Sequence, residues 1–179
     1  TAITRINNIV GGFRWQGKDP NFNAEFVNCN VSPDFGKTVG WELLAGRDFS
    51  HEIPADTISS IILNATAAKY MGMTDPIGQE ISNTDEFGNV MWTKTIIGVV
   101  EDIVMDSPYE PVGPTIFYYN NNANSQLHLR INPVMSTKEA LSQMKSVFDE
   151  VVPSTLFDYK FVDEEYARKF SQERKEKSK

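Results

Sequence analysis

Hydrophobic and polar residues alternate most regularly along 25–31, and this pattern predicts a β-strand. Val27, Cys29 and Val31 fall on one face of that strand, and Asn28 and Asn30 fall on the other. Similar reasoning predicts a first strand between Ile3 and Val10 and further strands at 13–15, 59–63, 79–82, 90–100 and 115–119. The chain is therefore expected to be rich in strands up to residue 119.

Two short helices are predicted between these strands. Ser32, Pro33 and Asp34 favour a helix start, because a serine hydroxyl can accept a free backbone N–H and proline suits the first helical position. Gly40 is expected to end that helix. Asn64 follows a buried strand and is placed to cap a second helix over 65–71.

The last third of the sequence predicts a β-α-β-α order, which is typical of layered α/β structures. Alternation predicts strands at 126–132 and 157–162. Ser136 and Glu139 form a capping box ahead of apolar residues at helical spacing, and Asp163 is expected to cap a final helix. The asparagine-rich segment 120–125 is interpreted as a boundary between lobes.

The stretch Val39–Phe49 is expected to connect these regions. It is an apolar segment that ends in Gly46, Arg47, Asp48 and Phe49, so that a turn is followed by a charged pair. We interpret it as the point at which one layer of the structure passes into the next.

Composition narrows the classes of function. The 179 residues are 40% hydrophobic, which is enough for a core, and the net charge of −7 opposes binding to a nucleic-acid backbone. Cys29 is the single cysteine, which excludes an internal disulfide and argues against a zinc–thiolate site. No run approaches the roughly 20 apolar residues that a membrane helix requires.

Candidate chemistry is sparse. Glu101, Asp102 and Asp106 could serve a small hydrolase or hold a cation, but carboxylates in such a loop are more often solvated. His51 and His128 lie on polar stretches without the local signature of a Ser-His-Asp site. The sequence therefore predicts no catalytic residue, no cofactor and no metal ligand.

Aromatic residues offer a different hypothesis. Trp15, Trp92, Tyr118 and Tyr119 could form an exposed groove for a glycan or a peptide. A secreted binding module is therefore the alternative to the function that follows from the resemblance below.

Five segments occur in the order and approximate spacing of a known family: Phe26–Phe35, Gly40–Phe49, Ile62–Lys69, Asp75–Gly78 and Ile97–Asp102. Together they resemble the MacB-like periplasmic core domain of FtsX-like ABC transporter permeases, and the resemblance extends over nearly the whole chain. The asparagine-rich loops are similar to those of Bacteroides-type permeases.

The resemblance implies a two-lobe fold of the α+β or α/β class. Residues 1–40 with 121–179 would form a discontinuous, porter-like α/β lobe. This lobe would be split by an inserted, strand-rich Sabre-like lobe of mixed β/α structure at 41–120.

The resemblance also implies a non-enzymatic domain on the periplasmic side of the bacterial inner membrane. Its partners would be the protein's own membrane helices, a cytoplasmic ATPase subunit or domain, and a periplasmic or outer-membrane protein. The domain would couple ATP-driven movement of the membrane helices to a substrate or partner. Residues that match the family pattern are assigned to folding the lobe junction: Gly46, Arg47, Asp48, Phe49, Asn64, Pro76 and Gly78.

Overall fold

A computed structural model describes residues 8–105, 110–120 and 126–176 of the chain. They form two compact units that divide after Leu127. Unit 1 comprises residues 1–127 and unit 2 comprises residues 128–179. Among the described residues, no helix combines the length and the apolar character that a membrane crossing requires.

Unit 1 is organised around one eight-stranded mixed sheet. Its strands are β1 (Ile9–Val10), β2 (Phe13–Trp15), β3 (Phe26–Val31), β4 (Leu43–Gly46), β5 (Ser60–Asn64), β6 (Glu80–Thr84), β7 (Val90–Val100) and β8 (Thr115–Tyr119). The spatial order is β1-β3-β8-β5-β7-β6-β2, and β4 pairs with β7 outside this path. The pairs β3–β8 and β5–β7 are parallel, whereas the other pairs are antiparallel.

The alternation predicted for β3 is confirmed. Val27, Cys29 and Val31 are buried in a hydrophobic cluster on one face of the sheet, and Phe26 belongs to a second cluster on the other face. Strand β5 also supplies both clusters, with Ile61 in one and Ile62 in the other. The sheet is therefore buried on both faces, which explains why β5 reads as a continuous apolar run.

Three short helices accompany the sheet: α1 (Phe35–Val39), α2 (Ala55–Ser59) and α3 (Ala65–Tyr70). Helix α1 ends as predicted at Gly40, whose φ of 72° is left-handed. The predicted Ser32 side-chain cap is wrong, because Asp34 holds the cap position and Ser32 accepts only through its backbone carbonyl. Helix α2 was not predicted from the sequence.

Unit 2 contains helices α4 (Thr137–Val151) and α5 (Val162–Glu176). The predicted cap of α4 is confirmed, since the Ser136 hydroxyl accepts from the Glu139 N–H at 3.2 Å. Asp163 lies inside the first turn of α5 instead of capping it, because that helix already begins at Val162.

The strands predicted at 126–132 and 157–162 are wrong. Both segments are described and neither is a strand, and Leu127 and Leu129 are exposed instead of facing inward. Alternation alone does not make a strand, because its backbone N–H and C=O groups need a neighbouring strand. The described residues of unit 2 provide no such neighbour.

The expected mixed α+β class is confirmed. The division into 1–40 with 121–179 and an insertion at 41–120 stays a prediction. Strands from both of its parts belong to the same sheet, since β3 pairs with β8. Residues 1–7 and 121–125, which carry the start of the predicted first strand and most of the predicted lobe boundary, lie outside the described residues.

Candidate functional site

The loop after β4 passes very close to β7. Gly46 has a left-handed φ of 73°, and a methyl group at this position would overlap the carbonyl oxygen of Ile97. Gly98 of β7 is also constrained, because a methyl group there would overlap the carbonyl oxygen of Arg47. Two glycines therefore allow the loop to lie against the strand.

Arg47 is held by a buried partner that the sequence analysis did not identify. Its Nη1 and Nη2 atoms donate to the two carboxylate oxygens of Asp56 at 2.7 and 2.8 Å. The Asp56 side chain is fully buried, whereas that of Arg47 is 43% exposed. This fork-to-fork geometry fixes the orientation of both groups and makes a strong charge-assisted contact.

Asp56 has further donors around it. Its carboxylate accepts from the Ser50 N–H at 2.9 Å and from the Ser60 hydroxyl at 3.1 Å. Burial alone would raise the pKa of Asp56, but the hydrogen bonds from Arg47, Ser50 and Ser60 outweigh it and hold that pKa below its ordinary value. Asp56 is therefore a charged anchor that joins the loop, α2 and the start of β5.

The Asp48 carboxylate does not pair with the guanidinium of Arg47, whose Nη1 donates instead to the Asp48 backbone carbonyl at 3.1 Å. The Asp48 carboxylate accepts from the Trp41 indole N–H at 3.0 Å and from the Phe49 N–H at 2.7 Å. Burial raises the pKa of Asp48, although these hydrogen bonds oppose the shift. The Trp41 ring packs edge-on against Phe117 at a centroid distance of 5.0 Å, so Asp48 positions an aromatic side chain of the core.

The remaining residues of the predicted junction lie in three places, which are the contact of Phe49 with Tyr119, the 76–78 turn and the position of Asn64 before α3. Phe49 is buried with its ring against Tyr119, and the turn that contains Pro76 and Gly78 hydrogen-bonds to β7 through Gly78 N and Ile96 O at 2.8 Å. Ile77 in that turn packs over Gly46. The structure therefore brings Gly46 and the 76–78 turn together beside β7.

Asn64 forms a separate centre. It caps α3 as predicted, because its side-chain oxygen accepts from the Ala67 N–H at 2.9 Å. The same oxygen accepts from the Thr115 N–H at 2.8 Å, and its amide donates to the Gly113 carbonyl at 3.0 Å. These contacts fasten β5 and α3 to the start of β8, and no local sequence signal indicates them.

The sequence around Asp56 contains a local signal for the start of a helix. Asp56 follows Pro54 by two residues and lies in the first turn of α2, where acidic residues are favoured. The signal predicts a helix start at this position. It does not predict that the carboxylate is buried, because that depends on the approach of Arg47 from the β4 loop.

The carboxylates proposed for a hydrolase have other roles or are not described. Asp102 accepts from the Thr66 N–H at 3.0 Å and from the Thr66 hydroxyl at 2.7 Å, and it thereby stabilises the first turn of α3. Glu101 is exposed, and Asp106 lies outside the described residues. Across the described ranges, no group of three or more His, Cys, Asp or Glu side chains could hold a metal ion.

Cys29 and His51 also fail to form a nucleophilic site. Burial raises the pKa of the Cys29 thiol to about 11, so the reactive thiolate is scarce at neutral pH. His51 Nε2 lies 3.1 Å from an Asp34 carboxylate oxygen, and its Nδ1 lies 3.4 Å from the Tyr119 hydroxyl. This chain of contacts contains no serine or cysteine.

The aromatic groove of the alternative hypothesis is not formed. Trp15 and Tyr119 are buried, and Trp92 packs edge-on between Phe13 and Tyr118 at centroid distances of 5.9 and 5.8 Å. Burial raises the pKa of Tyr118 above its ordinary value. These rings pack in or against the core. They do not form the exposed aromatic groove that the hypothesis of a glycan- or peptide-binding module requires.

An open cleft of about 480 Å³ lies elsewhere on unit 1. Its lining is mostly apolar and includes Ile9, Tyr70 and Val104, together with the carboxylates of Glu25 and Glu110. Among the described residues that line it there is no histidine, cysteine, serine or lysine. Glu25, Tyr70 and Glu110 are the titratable residues among the described lining.

Two solved structures share this fold. One is the periplasmic region of MacB from Actinobacillus actinomycetemcomitans, with a TM-score of 0.52 and 13% identity over 81% of this chain and 64% of that one. The other is a domain assigned to a permease from Porphyromonas gingivalis, with a TM-score of 0.50 and 19% identity over 86% of this chain and 78% of that one. The chain thus spans less than two thirds of the MacB region.

No protein-family model matches the chain, and no curated protein matches it either. The two structural likenesses establish the fold, which is that of a MacB-like periplasmic domain. The MacB-like fold class that the five sequence segments imply is therefore confirmed, whereas the division into two lobes stays a prediction.

Proposed function

We propose that this chain is the extracytoplasmic domain of an ABC transporter permease, on the periplasmic side of the bacterial inner membrane. The observation that carries the proposal is the fold shared with the MacB periplasmic region over 81% of the chain. The proposed domain acts without catalysis of its own. The buried Cys29 thiol, the capping role of Asp102 and the packed aromatic rings support this assignment.

In this proposal the domain couples movement of the permease's membrane helices to a periplasmic substrate or partner. A cytoplasmic ATPase subunit or domain would drive the movement. Unit 1 has the properties that such a role requires, since its sheet is packed on both faces and the β4 loop is tied to α2 through Asp56. A densely packed element moves as a body instead of deforming gradually.

The compartment can be tested by thiol labelling of the full-length protein in cells with a permeabilised outer membrane. Glu52→Cys in unit 1 and Ser142→Cys in unit 2 place thiols at exposed positions. A membrane-impermeant maleimide is expected to label both without lysis of the inner membrane. Labelling only after lysis would place the domain in the cytoplasm and refute the proposal.

The unmodified protein is the matched control for this experiment. Within these 179 residues the single thiol, Cys29, is 1% exposed and has a raised pKa, so this domain should contribute no labelling while it is folded. Labelling of Cys29 after denaturation verifies that the reagent and the protein are both present.

A further inference from the structure

The open cleft on unit 1 lies where the parallel strands β3 and β8 begin. Val27 and Thr115 are register partners at this end of the pair, and both line the cleft. The volume of about 480 Å³ is within the range of about 300–1,000 Å³ that is usual for small-molecule sites. Val27 and Met105 are buried members of the lining. The cleft is therefore large enough for a small organic ligand.

Other side chains of the lining leave much of their apolar surface exposed. Ile9 is 62% exposed, Val104 is 38% exposed and Tyr70 is 37% exposed, and all three line the cleft. Ile9 lies opposite Val27 in the register of β1 and β3, so an exposed and a buried apolar side chain are neighbours. Exposed apolar residues that share one concave surface mark a binding site, whereas isolated ones do not.

The wall formed by residues 111–115 has already used several of its polar groups. The Gly113 carbonyl accepts from the Asn64 amide and from the Thr115 hydroxyl, both at 3.0 Å. The Pro114 carbonyl accepts from a backbone N–H of β3 at 2.9 Å, and proline has no N–H of its own. This part of the wall therefore holds a ligand by apolar contact more than by hydrogen bonds.

The charge in the cleft is negative. Glu25 and Glu110 contribute carboxylates, and no described residue of the lining is cationic. Glu25 is exposed, and among the described residues none donates a hydrogen bond to its carboxylate. In a chain with a net charge of −7, such a cleft attracts cations and repels anions.

We infer that this cleft binds a small organic cation that carries an aliphatic or aromatic body. The body packs against the apolar lining, and the cationic head lies beside Glu25 and Glu110. The two carboxylates oppose an anionic ligand of the same shape. The inference rests on the lining of unit 1 alone and goes beyond the proposed function, so either can fail without the other.

A series of eight-carbon amphiphiles with different head groups tests the inference on the 179-residue chain. Octyltrimethylammonium, 1-octanol and octanoate share the alkyl body, and tetramethylammonium is the head alone. Isothermal titration calorimetry below the micelle concentration measures each Kd. Octyltrimethylammonium is expected to bind one site about fivefold more tightly than 1-octanol, and octanoate and tetramethylammonium should bind more weakly than either.

Three results of this series would overturn the inference. The first is the absence of saturable binding of octyltrimethylammonium. The second is octanoate binding as tightly as octyltrimethylammonium, because the carboxylates would then have no part in recognition. The third is tetramethylammonium binding as tightly, because the apolar lining would then contribute nothing.

Charge variants locate the site. The double variant Glu25→Gln with Glu110→Gln removes two negative charges from the cleft. Its matched control, Glu52→Gln with Glu86→Gln, removes the same charge from exposed positions outside the cleft. The cleft variant should bind octyltrimethylammonium about fivefold more weakly, whereas the control should keep its affinity. Equal affinities in the two double variants would overturn the inference.

A second pair of variants tests the apolar lining. Ile9→Ser is expected to weaken binding of both octyltrimethylammonium and 1-octanol about threefold or more, because it removes apolar surface that the ligand covers. Ile58→Ser is the matched control, since Ile58 is 74% exposed and lies outside the cleft. An unchanged melting temperature verifies that each variant is folded. Unchanged affinity in folded Ile9→Ser would overturn the inference.

Discussion

Units 1 and 2 bury their apolar residues to very different extents. Unit 1 has two hydrophobic clusters, one on each face of a continuous sheet. Among the described residues of unit 2, Ala140 is the single buried hydrophobic residue, and Val134 and Leu156 are strongly exposed. The comparison indicates that unit 1 supplies most of the folding free energy of the chain, because that free energy follows the apolar area removed from water.

The comparison also separates two kinds of apolar alternation. In β3, alternation coincides with burial because β1 and β8 flank the strand on either side. In 126–132, the same pattern leaves Leu127 and Leu129 exposed. Alternation therefore reports which side chains can share a face. A neighbouring strand is needed to pair the backbone, and residues packed over the face are needed to bury it.

The largest loss of stability is expected at Gly46, where the β4 loop lies against the backbone of β7. Gly46→Ala should lower the free energy of unfolding by more than about 3 kcal/mol, because it combines a left-handed backbone with overlap at Ile97. Chemical denaturation of the 179-residue chain measures this change.

Gly72→Ala is the matched control for Gly46→Ala. Gly72 has a φ of 71°, close to the 73° of Gly46, but no neighbouring atom would contact the added methyl group within 4 Å. The control should lose only about 1–2 kcal/mol, the cost of the left-handed backbone alone. Equal losses in the two variants would show that the contact with β7 is unimportant.

The next largest loss of stability is expected when the ion pair of Arg47 and Asp56 is broken. Asp56→Ala should cost about 3 kcal/mol, because it removes the acceptor of Arg47, Ser50 and Ser60. Arg47→Ala should cost about 2 kcal/mol, since it leaves a buried carboxylate without its cation. Asp48→Ala should also lower the melting temperature by releasing the Trp41 indole.

A double-mutant cycle tests whether Arg47 and Asp56 act together. The two losses should fail to add by about 1–3 kcal/mol, which is the range for directly contacting groups. Strictly additive losses would contradict the pairing. Unchanged melting temperatures for both Arg47→Ala and Asp48→Ala would contradict the structural role assigned to this loop.

A smaller, pH-dependent effect follows from the lowered pKa of Asp56. A carboxyl group with a depressed pKa in the folded state stabilises the fold at higher pH, and that contribution is lost as the pH falls through and below the ordinary aspartate value of about 4. The stability difference between the unmodified chain and Asp56→Asn should therefore be largest at neutral pH and shrink in acid.

The comparison with Asp56→Asn also removes a competing contribution. The raised pKa of Asp48 acts in the opposite direction and is present in both proteins, so it cancels in the difference. A difference that grows as the pH falls would contradict the assignment of the shift to Asp56. Urea denaturation at a series of pH values provides the data.

The smallest effects are expected in unit 2. Val134→Ser and Leu156→Ser should each change the stability of the isolated chain by less than about 0.5 kcal/mol, because both side chains are exposed. Phe148→Ala should lose more, since its ring packs against Phe157 at a centroid distance of 5.3 Å. A large loss of stability in either serine variant would contradict the claim that unit 1 supplies most of the folding free energy.

The sequence predicted the parts of the fold that depend on neighbouring residues in the chain. Strand β3, the helix end at Gly40 and the caps at Asn64 and Ser136 all follow from spacing, backbone freedom or capping chemistry. Each of these features requires only a few consecutive residues, which is why they were predictable.

The features that were missed depend on residues far apart in the chain. Arg47 was predicted to matter, but its partner Asp56 was not, because the buried pair forms only when the β4 loop lies against α2. The links from Asn64 to Gly113 and Thr115 join positions about 50 residues apart, at separations of 49 and 51. Local propensity carries no information about such pairings.

The claim that ATP-driven movement reaches this domain is tested most directly by hydrogen exchange of the complete transporter, without nucleotide and with ATP and vanadate. The account predicts altered exchange in peptides from residues 8–176 of the transporter, and no change when the isolated 179-residue chain receives the same nucleotide. Identical exchange in both states of the transporter, or the same change in the isolated chain, would contradict it.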